Sequence, residues 1–233
     1  MFEQPPIPQK PKKYDRRKVL WEHSWGTNYN NDEKRFTMAP IFDDLHKAEK
    51  IGEVVVDVGN GASPVSQYIP GEHKMINIDI AQDQQRESKG HIEVQYDIED
   101  LSQAEKFSTQ RTLLRIAKFL DVNPRESEKK EHADTMIFSD VLNYVDYEEV
   151  LKNCSTYLQP GGRFIIINKP GRGYESLFAE KRIRSNYDLY DFLEKSGFEI
   201  EEKHFPQRQT MSTDEEHEFI VLIAKKQNHD QVE

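Results

Sequence analysis

Five short runs of apolar, mostly β-branched residues punctuate an otherwise polar chain: Val54–Val58, Met75–Ile80, Ile92–Tyr96, Thr135–Ser139 and Phe164–Asn168. Runs of this length predict strands buried on both faces. Helical spacing fills the gaps between them. Ile41, Leu45 and Ala48 predict a short amphipathic helix over residues 41–51. After the first strand, Ser63 suits an N-cap and Pro64 the first helical position, with Val65, Tyr68 and Ile69 following and Pro70-Gly71 closing the helix. Residues 102–120 open on the capping-box pattern Ser102–Glu105 and carry the stripe Leu113, Ile116, Ala117 and Leu120. A similar start at Asp146–Glu149 leads into Val150, Leu151, Cys154 and Leu158, and Pro160-Gly161-Gly162 breaks that helix. Leu189, Phe192 and Leu193 predict a last helix over 185–195, ended by Gly197. Phe198–His204 and Glu218–Ala224 then read as two strands with no helix between them, which predicts an antiparallel pair. The alternation as a whole predicts a parallel α/β sheet covered on both faces.

Composition changes this picture at its margins. The chain has 233 residues, 36% hydrophobic and 32% charged, which is enough apolar material for one core with polar chain to spare. The surplus is expected in three places: residues 1–40, Pro- and Lys-rich and then aromatic (Tyr14, Trp21, Trp25, Tyr29), the charged stretch 123–132, and the polar tail 226–233. A catalytic-type domain is expected over 41–225, with a helical, charged insertion at about 101–132. Net charge is -10, but residues 1–18 hold six basic against two acidic residues, so the remainder carries -14. That balance disfavours a nucleic-acid partner, whose affinity rests on cations that neutralise phosphate. A single cysteine, Cys154, excludes an intrachain disulfide and a cysteine-based zinc site, and no metal is expected. No run approaches a membrane span and no apolar signal region opens the chain, so a cytoplasmic location is expected.

The chemistry concentrates after the first two strands. Asp57 lies near the end of an apolar strand and is followed by Gly59-Asn60-Gly61, which lets backbone approach a ligand without Cβ clashes. Asp79 closes the second strand, where a carboxylate can accept from ribose hydroxyls. A nicotinamide fingerprint fits poorly, because Pro64 stands where Gly or Ala is needed, and no Gly-Lys-Ser/Thr follows for a P-loop.

These residues, with four further segments in order, resemble class I S-adenosylmethionine-dependent methyltransferases. Asp57-Val-Gly59-Asn-Gly61-Ala-Ser63 looks like their first motif and Asn77-Ile-Asp79-Ile80 like their second. Tyr96-Asp97-Ile98, Phe138-Ser139-Asp140-Val-Leu142-Asn143-Tyr144-Val145 and Leu158-Gln-Pro160-Gly161-Gly162 are similar to the later ones. The resemblance covers roughly residues 52–225 and implies a Rossmann-like seven-stranded, mostly parallel sheet with helices on both faces and the last strand antiparallel. It implies S-adenosyl-L-methionine as cofactor and methyl transfer to a small-molecule or sugar-like acceptor. By the same resemblance Gly59 and Gly61, with Asp57 and Asn60 beside them, lie against the methionine and ribose part. Asp79 with Ile80 takes the ribose, Asp97 and Ile98 the adenine, and Ser139 lines the cofactor. Tyr144 stands where the family often has histidine. Asp140 and Tyr144 are the candidates for a base, with structural roles (a turn acid, a packed aromatic) as the plainer reading. His91 and His204 read as satisfied structural histidines and Cys154 as core. Two other readings stay open: a non-catalytic relative that uses the fold for interaction, and an RNA methyltransferase. Oligomeric state is not legible.

Overall fold

The computed structural model describes residues 31–59, 65–79, 87–88, 90–95, 120, 132–170, 182–205, 215–216 and 218–228. Eight strands form one sheet: β1 (Val54–Val58), β2 (Lys74–Asp79), β3 (Glu87–Ser88), β4 (His91–Gln95), β5 (Ala133–Ser139), β6 (Leu158–Asn168), β7 (Phe198–His204) and β8 (Ile220–Lys226). Their order is β3-β4-β2-β1-β5-β6-β8-β7. The seven longer strands are the seven expected. The eighth, β3, is a two-residue antiparallel addition on the β4 edge. From β4 to β6 all pairings are parallel, while β8 runs antiparallel to both β6 and β7.

Period-two alternation divides the core into two layers. On one face Val55, Met75, Ile137, Ile165, Ile167, Val221 and Ile223 pack under helix α1 (Asn31–Lys47) through Met38, Phe42 and Leu45. On the other, Val56, Ile76, Ile92, Met136, Phe138, Phe164 and Ile166 meet helices α2 (Tyr147–Ser155) and α3 (Asn186–Lys195). Phe164 stacks on Phe198 at 4.6 Å and meets the Phe138 edge at 5.2 Å, a favourable aromatic arrangement. Cys154 is fully buried on this side, where desolvation pushes its thiol up to about 12 and leaves it inert.

Several local expectations need correction. Helix α1 spans 31–47 rather than 41–51, and its buried stripe is Met38, Phe42 and Leu45, with Ala48 beyond its end. In the segment expected to be helical after β1, the described residues form a 3₁₀ turn, Val65–Tyr68, while Ser63 and Pro64 lie outside the described residues. The helix expected to run to Leu158 and be broken by Pro160-Gly161-Gly162 ends at Ser155, and those three residues lie inside β6 as a bulge. Leu158 pairs with Ala133, and Arg163 already with Thr135. Asp146 is the N-cap of α2 without a side-chain cap bond. A capping carboxylate occurs instead at α3, where Asp188 Oδ2 accepts from the N–H groups of Arg184 (2.7 Å) and Ser185 (3.0 Å). The last strand is shifted to 220–226. Leu120 is helical and buried, in keeping with the stripe expected there. The rest of the 102–119 helix, the 123–131 stretch, residues 1–30 and the end of the tail lie outside the described residues.

Candidate functional site

The chain leaves β1 for β2 and β4 on one side, then returns to place β5 on β1's other side. Strand order therefore reverses between β1 and β5. A crevice outside the carboxyl ends of two such strands is where open α/β sheets bind ligands. The sequence-predicted residues that are described converge on this edge. Register sets Val58 opposite Phe138, so Gly59 stands level with Ser139, and Asp79 closes β2 on the neighbouring side.

Asp57 is fully buried, and its Oδ2 accepts the Val65 N–H at 2.8 Å. The carboxylate thus ties the end of β1 to the first residue of the 3₁₀ turn across the glycine-rich segment. The Val65 N–H is thereby spent on Asp57. Gly59 has φ +68°, and a Cβ there would lie 2.3 Å from Val141 Cγ2. The absent side chain at Gly59 is filled by the turn after β5. The glycine lets the two strand ends close on each other, so its first role is to shape the crevice floor. Its N–H donates to the Ile78 carbonyl at 2.7 Å and extends the β1–β2 ladder. Asp79 is buried at the end of β2, on the same face as Asp57 and Asn77. Asn77 is buried as well and its Nδ2 lies 3.1 Å from His91 Nε2, while His204 pairs with Glu202 at 2.7 Å. Both histidines therefore have structural partners. Asn60, Gly61, Ile80, Asp97 and Ile98 lie outside the described residues, as does the Trp21/Trp25 cluster.

On the β5 side, Ser139 and Asp140 are half-buried. Asp140 has φ +58°, a left-handed conformation that Asp tolerates better than most residues. Its N–H donates to the Ile167 carbonyl at 2.8 Å, and its Oδ1 accepts from Asn143 Nδ2 at 3.1 Å. Asn143 Nδ2 also donates to the Lys169 carbonyl at 3.1 Å, and Asn168 Nδ2 donates to Asn143 Oδ1 at 3.4 Å. Tyr144 is half-buried in the turn between β5 and α2, not on a helix. Asn143 and Asn168 were not foreseen as site residues. The available signal was a polar residue closing the apolar run Phe164–Ile167.

No protein-family model matches the chain, and no curated protein matches it. Many solved structures do. The chain is similar to Burkholderia thailandensis 1,6-didemethyltoxoflavin-N1-methyltransferase, crystallised with 1,6-didemethyltoxoflavin and S-adenosylhomocysteine, at 15% identity and TM-score 0.57, over 96% of this chain and 94% of that one. It is similar to magnesium protoporphyrin IX methyltransferase from Synechocystis PCC 6803, with bound S-adenosylmethionine, at 13% identity and TM-score 0.52, over 94% and 100%. A third structure, the cyclase SpnF, matches at 13% identity and TM-score 0.53, over 81% and 80%. The chain shares the Rossmann-like fold of these three proteins, two of them methyltransferases and one a cyclase, and the identities make this a likeness of fold alone.

Proposed function

We propose that the chain is an S-adenosylmethionine-dependent methyltransferase acting on a small-molecule acceptor. The observation that carries this reading is the coincidence of two features at the strand-order reversal. One is a left-handed glycine that closes the β1 turn onto the β5 turn. The other is a buried carboxylate, Asp79, at the end of the adjacent strand. The fit to the cofactor is chemical. A ribose presents two hydroxyl donors and a carboxylate has two acceptor oxygens. The Gly59 turn, closed onto Val141, sets the end of β1 beside that of β5 and next to Asp79.

When bound, the cofactor supplies an electrophilic methyl group on a sulfonium. This chain's residues then have to align the acceptor in line with it and keep water out. Asp57 holds the β1 turn in shape through Val65, Asp79 orients the ribose, and Ser139 lies level with Gly59 across the crevice. Gly61, Asn60, Ile80, Asp97 and Ile98 complete the cofactor set in this reading. Where the acceptor must lose a proton, Asp140 is the base this reading favours, since the Asn143 amide already steadies one of its oxygens. Tyr144 is the second candidate.

The test is isothermal calorimetry with S-adenosylhomocysteine, paired with methyl counts from labelled S-adenosylmethionine into a small-molecule pool. Because a cyclase shares the fold, transfer has to be measured alongside binding. Asp79→Ala is expected to weaken binding by about 1–3 kcal/mol, the scale of lost hydrogen bonds to a charged group. Wild-type protein that binds neither form of the cofactor would sink the reading.

A further inference from the structure

The polar chain at the ends of β5 and β6 has a fixed direction. Asn143 Nδ2 is shared between the Asp140 carboxylate and the Lys169 carbonyl, which can only accept. That fixes which end of the Asn143 amide is nitrogen, so its Oδ1 must be the acceptor facing Asn168. Asn168 therefore donates its Nδ2 to Asn143, and its own Oδ1 is turned the other way. Asn168 is 1% exposed, and this oxygen is buried with no hydrogen-bond partner among the described residues. A buried polar atom without a partner is costly, and native structures keep few of them.

The place of this oxygen gives it meaning. Asn168 is the last residue of β6, and register sets its neighbour Ile167 opposite Ser139. It stands one strand beyond the crevice between β1 and β5, on the side away from Asp79. Along this edge Asp140 follows β5, Asn143 bonds to it from the next turn, and Asn168 closes β6 against Asn143.

We infer that the Asp140–Asn143–Asn168 relay is the recognition subsite for the methyl acceptor, and that Asn168 Oδ1 receives an N–H or O–H of that molecule. The inference rests on the methyltransferase reading for the identity of its occupant. It narrows that occupant to a neutral or cationic compound with at least one such donor. A carboxylate or phosphate ester is excluded from this position, because it would set oxygen lone pairs against the Asn168 carbonyl beside the Asp140 carboxylate.

Ligand-observed NMR on the full-length chain tests this with phenol and aniline against toluene, which matches them in size and lacks a donor. Apolar burial alone favours toluene. Donor recognition at Asn168 instead makes phenol and aniline bind at least tenfold more tightly, with benzoate failing to compete. Asn168→Leu is expected to reverse the order while S-adenosylhomocysteine affinity stays at the wild-type value. Equal or tighter binding of toluene to the wild-type chain overturns the subsite, and this needs no variant to fold. A donor preference that survives Asn168→Leu overturns the role of this residue. The fragment contrast is measured without cofactor as well, so a chain that fails to bind S-adenosylhomocysteine loses the methyltransferase reading separately from this one.

Discussion

Gly59 is glycine for two separable reasons. Its φ of +68° lies where side chains are strained, and its Cβ position is already occupied by Val141. Gly59→Ala is expected to cost about 1–2 kcal/mol for the left-handed backbone and about 1–3 kcal/mol for the collision. Adding Val141→Ala to it should recover the collision share and leave the backbone share, which urea denaturation of the two single variants and the double variant resolves. Full additivity would show that Val141 is not the obstacle. The same residue marks how far the site was legible. A glycine-rich turn after an apolar strand is visible in sequence. Its contact with Val141 is not, because that residue arrives from a strand far along the chain, and only the β1–β5 register brings the two together. Asn168 escaped notice for a related reason. A polar residue at a strand end looks like the start of a loop until the amide network around it is known.

At the scale of elements, the strands were legible and the turns between them were less so. A buried strand announces itself by its own apolar residues, whereas the pairing of a bulged strand depends on its neighbours. The bulge in β7 is a further case. Ile200 pairs with Ala224 and Glu202 with Ile223, which leaves Glu201 as the extra residue. Consecutive strand residues normally point to opposite faces, but the bulge turns both glutamates towards Lys50, at 2.9 and 3.3 Å. Arg163 Nε adds a 2.8 Å bond to Glu201. The cluster ties the start of β6 and the approach to β1 onto β7, at the edge opposite the crevice. The Arg163 hydrogen bond, followed by that from Lys50, holds the Glu201 carboxyl down to about 2 from 4.5, against the opposing effect of burial. A depressed folded-state value gives stability that is present above the unfolded value and lost as pH falls through the folded one. Glu201→Gln is therefore expected to cost about 2 kcal/mol at pH 7, the scale of charge-assisted bonds. The difference from wild type should shrink as pH drops from 4.5 towards 2. A difference that stays constant over that window would assign the cost to packing. Lys50 is raised from 10.5, chiefly by its bond to Glu201, so its share is present below that value and fades only as pH rises past the raised one.

For the molecule as a whole, topology concentrates the candidate chemistry at one edge. Among the described residues β1, β2, β5 and β6 contribute only their carboxyl ends to it, because parallel strands all end on the same side. This is why the strand-end residues Asp57, Asp79, Ser139 and Asp140, read in order along the sequence, already imply one edge of the sheet. The Asp140–Asn143–Asn168 network is harder to read from sequence, since it depends on side chains that meet across turns. Among the described residues no helix is long and apolar enough to cross a membrane. With a net charge of -10, the chain has little to offer a polyanion. A ligand that binds the crevice must stabilise the sheet it bridges, since β1, β2 and β5 are central strands that open only with the core. S-adenosylhomocysteine at about a hundred times its dissociation constant should add about 2.7 kcal/mol. For a chain of this size that raises the melting temperature by about 5–10 °C. At the same ligand concentration Asp79→Ala should lose about a third to nine-tenths of the rise, and an RNA homopolymer at physiological salt should produce none. A rise undiminished in Asp79→Ala would place the cofactor away from the end of β2. A salt-sensitive rise with the homopolymer would instead return nucleic acid to consideration as the partner, with the basic residues of the first eighteen positions as its first contact.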